Sequence, residues 1–166
     1  MTMKTLFLIR HAKSSWEDAS LSDKERPLKK RGVSDAQIMG KVLHKHGIKP
    51  IQIISSPAIR ALHTAEIIAA QLGFDKKKIE KNKQLYFEGI ENIFKVIQSL
   101  DAKTNTAFIF GHNPDFTQLV NLFSATGIEN LPTCGIAGIE FNVKDWSEAT
   151  AATGKLLFYD FPKRHR

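Results

Sequence analysis

Strand-like apolar runs alternate with stripes of helical spacing along most of this chain, and that alternation restricts it to an α/β architecture. The runs are Thr5 to Arg10, Ile51 to Ser55, Thr106 to Phe110, Gly138 to Val143 and Leu156 to Phe161, with a weaker one near Ile79 to Lys83. Val33, Ala36, Gly40 and Leu43 share one helical face, as do Leu62, Ala65, Ala69 and Leu72, and then Ile90, Ile93, Phe94 and Ile97. A fourth helix is predicted from Pro114 to about Ala125, with Phe116, Leu119, Val120 and Phe123 turned inward. The expected fold is a three-layer α/β/α sandwich around a mostly parallel mixed sheet. Its last two, closely spaced strands add antiparallel at one edge.

Charged and imidazole side chains stand where strands stop. Leu6-Phe7-Leu8-Ile9 gives way at once to Arg10-His11, Arg60 follows the run ending at Ser55, and Gly111-His112 follows Phe110. Ser56-Pro57 and Asn113-Pro114 each place a capping residue before a proline suited to the first helical position. Both helices are therefore expected to start at the carboxyl edge of the sheet, where helix N-termini favour an anion. Two arginines and two histidines at that edge describe one phosphate pocket. Guanidinium groups hold the oxygens, and an imidazole that is neutral near pH 7 serves as nucleophile.

Composition narrows the alternatives. The 166 residues, 42% of them apolar and without repeat or linker, are expected to form one domain over 1–166. The net charge of +7 is spread over short runs, Lys29-Lys30-Arg31, Lys76-Lys77-Lys78 and Lys163-Arg164-His165-Arg166. With no aromatic interleaving and no helix-turn-helix pattern, no nucleic-acid partner is expected. Leu6 to Ile9 is too short for a membrane span or a secretory apolar region, so the expectation is a cytoplasmic protein with no membrane partner. Cys134 stands alone and reads as buried core. His44 and His46, two residues apart, do not face a common ligand, and neither a metal nor another cofactor is expected.

Arg10-His11-Ala12, Ser56-Pro57-Ala58-Ile59-Arg60-Ala61 and Gly111-His112-Asn113-Pro114, in this order and on these elements, resemble the histidine phosphatase superfamily. Within that superfamily, which has the phosphoglycerate mutase-like fold, the chain is most similar to the short SixA-type phosphohistidine phosphatases. Glu25-Arg26-Pro27-Leu28, Lys30-Arg31-Gly32 and Asn130-Leu131-Pro132-Thr133 extend the likeness over most of the sequence. The resemblance implies that His11 becomes phosphorylated, that Arg10 and Arg60 bind the phosphoryl oxygens, and that His112 is the second pocket histidine. It also implies that Arg26 lies near the same pocket.

Two positions depart from the family pattern. Ala12 stands where the superfamily usually has glycine, and its methyl is expected to narrow the backbone approach. Larger members carry an acidic glutamate after the third strand; the comparable stretch is Leu85-Tyr86-Phe87-Glu88-Gly89, where Glu88 is either the general acid or a solvated carboxylate. Trp16 reads as flanking the pocket mouth or as packed under a loop, and Glu17, Asp18 and Asp23 read as loop carboxylates.

These residues lead to a metal-independent phosphatase that hydrolyses phosphohistidine on a phosphoprotein. His11 attacks phosphorus, and water hydrolyses the phosphohistidine so formed. Phosphohistidine suits a site without an obvious acid, because its imidazole takes a proton on the other ring nitrogen and leaves readily. Two alternatives stay open: a phosphomonoesterase acting on a small phosphate ester, and a non-catalytic phosphate-binding module.

Overall fold

The computed structural model describes residues 3–166. Six strands, β1 (Met3–Arg10), β2 (Gln52–Ser55), β3 (Glu80–Lys81), β4 (Thr106–Gly111), β5 (Ile136–Asn142) and β6 (Gly154–Asp160), form one sheet in the order β3-β2-β4-β1-β5-β6. The pairings among β1 to β4 are parallel, and β5 and β6 continue the sheet antiparallel beyond β1. The mixed, mostly parallel sheet expected from the sequence is the one observed. Helices α1 (Lys30–Lys45), α2 (Ile59–Gln71), α3 (Ile90–Gln98) and α4 (Asp115–Ser124) cover it.

The pleat of β1 sorts the core into two halves. Leu6 and Leu8 pack with Ile93 and Ile97 of α3 and with Phe116 and Leu119 of α4. Phe7 and Ile9 pack with Ala36, Met39 and Leu43 of α1 and with Ala65 and Ile68 of α2. Strand β4 does the same, with Ala107 and Ile109 on the first side and Phe108 and Phe110 on the second. A strand covered on both faces must be apolar at consecutive positions, which is why these segments read as unbroken runs.

This topology places the candidate site. Register pairs Arg10 with Gly111 and Ser55 with Phe110, so His11, Ser56 and His112 emerge together at the carboxyl edge. The neighbouring strands β1 and β4 are followed by helices on opposite faces, α1 and α4. Such a switch point leaves a crevice beyond the strand ends. Gly32 sets the distance between α1 and one side of the crevice: a Cβ there would collide with the Lys13 carbonyl oxygen, so only glycine lets α1 approach the segment after His11 so closely.

The prolines sit differently from the sequence expectation. Helix α2 starts at Ile59 and α4 at Asp115, leaving Pro57 and Pro114 outside the helices. The side chains before them cap the turns instead. Ser56 Oγ accepts from the Ala58 N–H at 3.2 Å, and Asn113 Oδ1 accepts from the Thr117 N–H at 3.1 Å.

The basic C-terminus is tied back onto the fold. Arg166 donates from Nε to the buried Asp35 carboxylate at 3.0 Å, and His165 Nε2 lies 2.7 Å from Asp160. Among the described residues no helix is long and apolar enough to cross a membrane.

Candidate active site

A cleft of about 410 Å³ opens at the carboxyl edge, lined by Arg10, His11, Arg26, Arg60 and His112 together. Side chains from the end of β1, the loop before α1, the first turn of α2 and the end of β4 thus converge, although they span more than a hundred positions of sequence. The structure keeps Glu88 apart from them: it is exposed, does not line the cleft, and uses its backbone carbonyl to accept from Asn92 Nδ2 at 2.7 Å.

His11 is oriented by its own neighbour. Its Nδ1 lies 2.7 Å from the Ala12 carbonyl oxygen, and a carbonyl only accepts, so Nδ1 carries the proton and Nε2 carries the lone pair. Burial, opposed by that carbonyl and aided by the charges of Arg60, Arg10 and Arg26, lowers its pKa to about 4. The ring is neutral at pH 7, with one nucleophilic nitrogen. Ala12 is fully buried between α1 and α2, and its N–H donates to Thr64 Oγ1 at 3.0 Å. Its methyl sits in the core and does not line the cleft, so the narrowing expected there does not occur.

His112 stands beside it, the ring centroids 5.3 Å apart. Its Nε2 meets Ser56 Oγ at 2.8 Å, and burial together with His11, Arg60 and Arg10, against the pull of Asp23, lowers its pKa to about 3. His112 Nδ1 and Arg10 Nε are buried and make no hydrogen bond to any described residue. Oxygens of a tetrahedral anion offer acceptors for such groups. Arg10 is braced by its Nη1, which donates to the Leu131 carbonyl at 3.0 Å. Asn113 Nδ2 reaches the same carbonyl at 2.9 Å, which ties the Asn130-Leu131-Pro132-Thr133 segment to the site.

The residue that sequence reasoning missed is Asp23. Its Oδ1 accepts from Arg26 Nη1 and its Oδ2 from Arg60 Nη2, each at 2.9 Å, while its backbone carbonyl accepts from Arg60 Nη1 at 2.7 Å. The Tyr86 hydroxyl donates to Oδ2 at 2.5 Å. Partial burial raises the Asp23 pKa, but the hydrogen bonds from Tyr86, Arg60 and Arg26 outweigh it and hold the carboxyl well below the usual range. The available signal was its spacing, three residues before Arg26. Trp16, 73% exposed, lies under the Arg26 guanidinium, 3.3 Å from ring centroid to Cζ. Phe87, in a left-handed backbone conformation, lays its ring against His112 with centroids 4.6 Å apart.

Two histidines kept neutral by burial make stability depend on pH. In the unfolded chain each titrates near 6.5, so between that value and the folded pKa the unfolded state binds more protons. The histidines' contribution to stability is complete above about pH 6.5 and is lost progressively as pH drops toward their folded values of about 4 and about 3. Urea unfolding at pH 7.5 and at pH 5 is expected to differ by about 2 kcal/mol for each histidine. A His11→Asn, His112→Asn double variant is expected to lose most of that difference; an unchanged difference would contradict the assignment.

Residues 6–113 match the model of the histidine phosphatase superfamily, branch 1. An uncharacterized chloroplastic protein of Arabidopsis thaliana is 32% identical over 161 residues, which are 91% of this chain and 72% of that protein. The mitochondrial serine/threonine-protein phosphatase Pgam5 of Drosophila mojavensis is 40% identical over 75 residues, covering 45% of this chain but only 25% of its own length. The solved structure of the protein histidine phosphatase SixA complexed with tungstate superposes with a TM-score of 0.83 at 19% identity, over 98% of this chain and 99% of that one. At that identity the likeness is one of fold. The chloroplastic and mitochondrial relatives overturn the expectation of a cytoplasmic protein. That expectation rested on a short N-terminal apolar run, which bears on secretion and membranes and not on organellar addresses, whose signals are amphipathic.

Proposed function

This chain belongs to the histidine phosphatase superfamily, and from that premise we propose that it is a SixA-type phosphatase that hydrolyses phosphohistidine on a phosphoprotein. The observation that carries this reading is His11, neutral, with its proton held on Nδ1 and its Nε2 lone pair in a cleft lined by Arg10, Arg26 and Arg60. Nε2 attacks phosphorus in line, the leaving group departs with the electron pair of the broken bond, and water then hydrolyses the phosphohistidine on His11. Arg10 and Arg60 hold the phosphoryl oxygens by charge-assisted bonds, with Arg26 beside them. His112 faces the same oxygens as negative charge redistributes. This positive field does the work for which other phosphatases use a metal ion.

The leaving group follows from the carboxylates. Glu88 is exposed and outside the cleft, and Asp23, held ionised, has no proton to give at neutral pH. An alkoxide leaving group needs such a proton, whereas an imidazole already protonated on its far nitrogen does not. The tetrahedral tungstate of the SixA complex is the kind of anion this cleft is suited to hold.

Single-turnover phosphate release from a phosphohistidine-bearing protein domain, run beside p-nitrophenyl phosphate and a panel of sugar phosphates without added metal, tests the reading. Fast, selective release from the phosphohistidine domain is the expected result. Preference for a small ester would move the function to metabolite hydrolysis, and no release from any substrate would leave a phosphate-binding module.

A further inference from the structure

Asp23 is the one carboxylate among the described residues that line the cleft, a lining it shares with Arg10, Lys13, Arg26, Lys29 and Arg60. Bound phosphate dianion neutralises part of that charge, but a cationic ring arriving with the phosphate would otherwise meet protein cations alone. The Asp23 side chain is 40% exposed, whereas His11 as a whole residue is buried. Asp23 therefore lies toward the mouth of the cleft, where a leaving group opposite His11 must stand for in-line displacement. Three side-chain donors occupy it: Arg26 on Oδ1, and Arg60 and Tyr86 on Oδ2. A carboxylate has about four acceptor sites, so one remains, on Oδ1.

We propose that Asp23 contacts the leaving group and selects a protonated imidazole, accepting a hydrogen bond from the ring nitrogen that does not carry the phosphorus. This inference rests on the phosphohistidine reading and adds to it the residue that reads the substrate's charge. The bonding balances without a further reactant. The His11 Nε2 lone pair forms the new N–P bond, the old N–P bond breaks, and its electron pair goes to the departing ring nitrogen. The proton stays on the far nitrogen throughout, so an imidazolium enters and a neutral imidazole leaves. Asp23 favours this form by raising the fraction of substrate protonated near neutral pH. For an ester, negative charge grows on the leaving oxygen, and the same carboxylate opposes it.

The test compares kcat/KM for free phosphohistidine and for p-nitrophenyl phosphate in the unsubstituted protein and in Asp23→Asn. The phosphohistidine to ester ratio is expected to fall by about tenfold, the effect of one unit in the ring's protonation equilibrium. Asp23→Glu, which keeps the charge, is expected to restore much of it. A ratio unchanged in Asp23→Asn, whether both rates fall together or neither moves, would reduce Asp23 to a brace for Arg26 and Arg60 and overturn the inference. Asp23→Ser carries the same expectation if the amide disturbs Arg26, and circular dichroism with thermal unfolding of each variant reports that it is folded. The unsubstituted protein's own rate on phosphohistidine tests the proposed function separately, so the two failures are distinguishable.

Discussion

Replacing His11 with alanine is expected to reduce phosphatase turnover by roughly four to six orders of magnitude, the loss seen when a covalent nucleophile is removed. The other imidazole of the cleft is committed elsewhere. His112 Nε2 is engaged with Ser56 Oγ, and its Nδ1 is buried. The arginines remain in the variant, so phosphate affinity is expected to survive while chemistry stops. Acid-labile phosphate on the protein after brief exposure to substrate, present in the unsubstituted chain and absent from His11→Ala, is the direct measurement. His11→Ala that keeps wild-type turnover would remove the nucleophile assignment. Because burial and the arginines hold the His11 pKa to about 4, labelling is expected to persist well below pH 6.5.

Arg60→Ala is expected to lower kcat/KM by about two to three orders of magnitude on every phosphate substrate, the scale of losing a charge-assisted donor to the transferring group. Arg60 is 2% exposed in the first turn of α2, and it holds Asp23 through both side chain and backbone. On the proposed reading its removal takes a phosphate ligand away, and it breaks the bonds that hold the segment carrying Asp23 and Arg26. Arg60→Lys is expected to recover only part of the loss, because an ammonium is a point charge without the planar fork that makes these two bonds. Loss across all substrates separates this effect from the substrate-selective loss expected at Asp23. Steady-state kinetics with inorganic phosphate as a competitive inhibitor measure both affinity and turnover. Activity near that of the unsubstituted protein in Arg60→Ala would exclude Arg60 from phosphoryl binding.

The elements were legible because their signals are local. Leu6 to Ile9 and Ala107 to Phe110 are covered on both faces, so their runs announce buried strands whatever lies elsewhere in the chain. The stripe Phe116, Leu119, Val120 and Phe123 on α4 is wholly buried as read. Arg10-His11 and Gly111-His112 were visible as residues too polar for the runs that precede them. The β1–β4 register then sets Arg10 opposite Gly111, which brings the two histidines together.

Asp23 was not legible, for the opposite reason. Its partners Arg60 and Tyr86 lie 37 and 63 positions away, and an aspartate in a polar loop carries no mark of them. Glu88 illustrates the converse: a glutamate in the right stretch of sequence, turned to solvent. The Ala12 methyl looked like an intrusion into the site until packing between α1 and α2 placed it in the core. Strand and helix identity depend on hydrophobic period and short-range sterics, so the sequence by itself determined the layers of this protein and the edge where its histidines stand. Which charges meet there, which stay neutral and which face water depend on desolvation and on contacts between distant segments, and only the tertiary structure decided them.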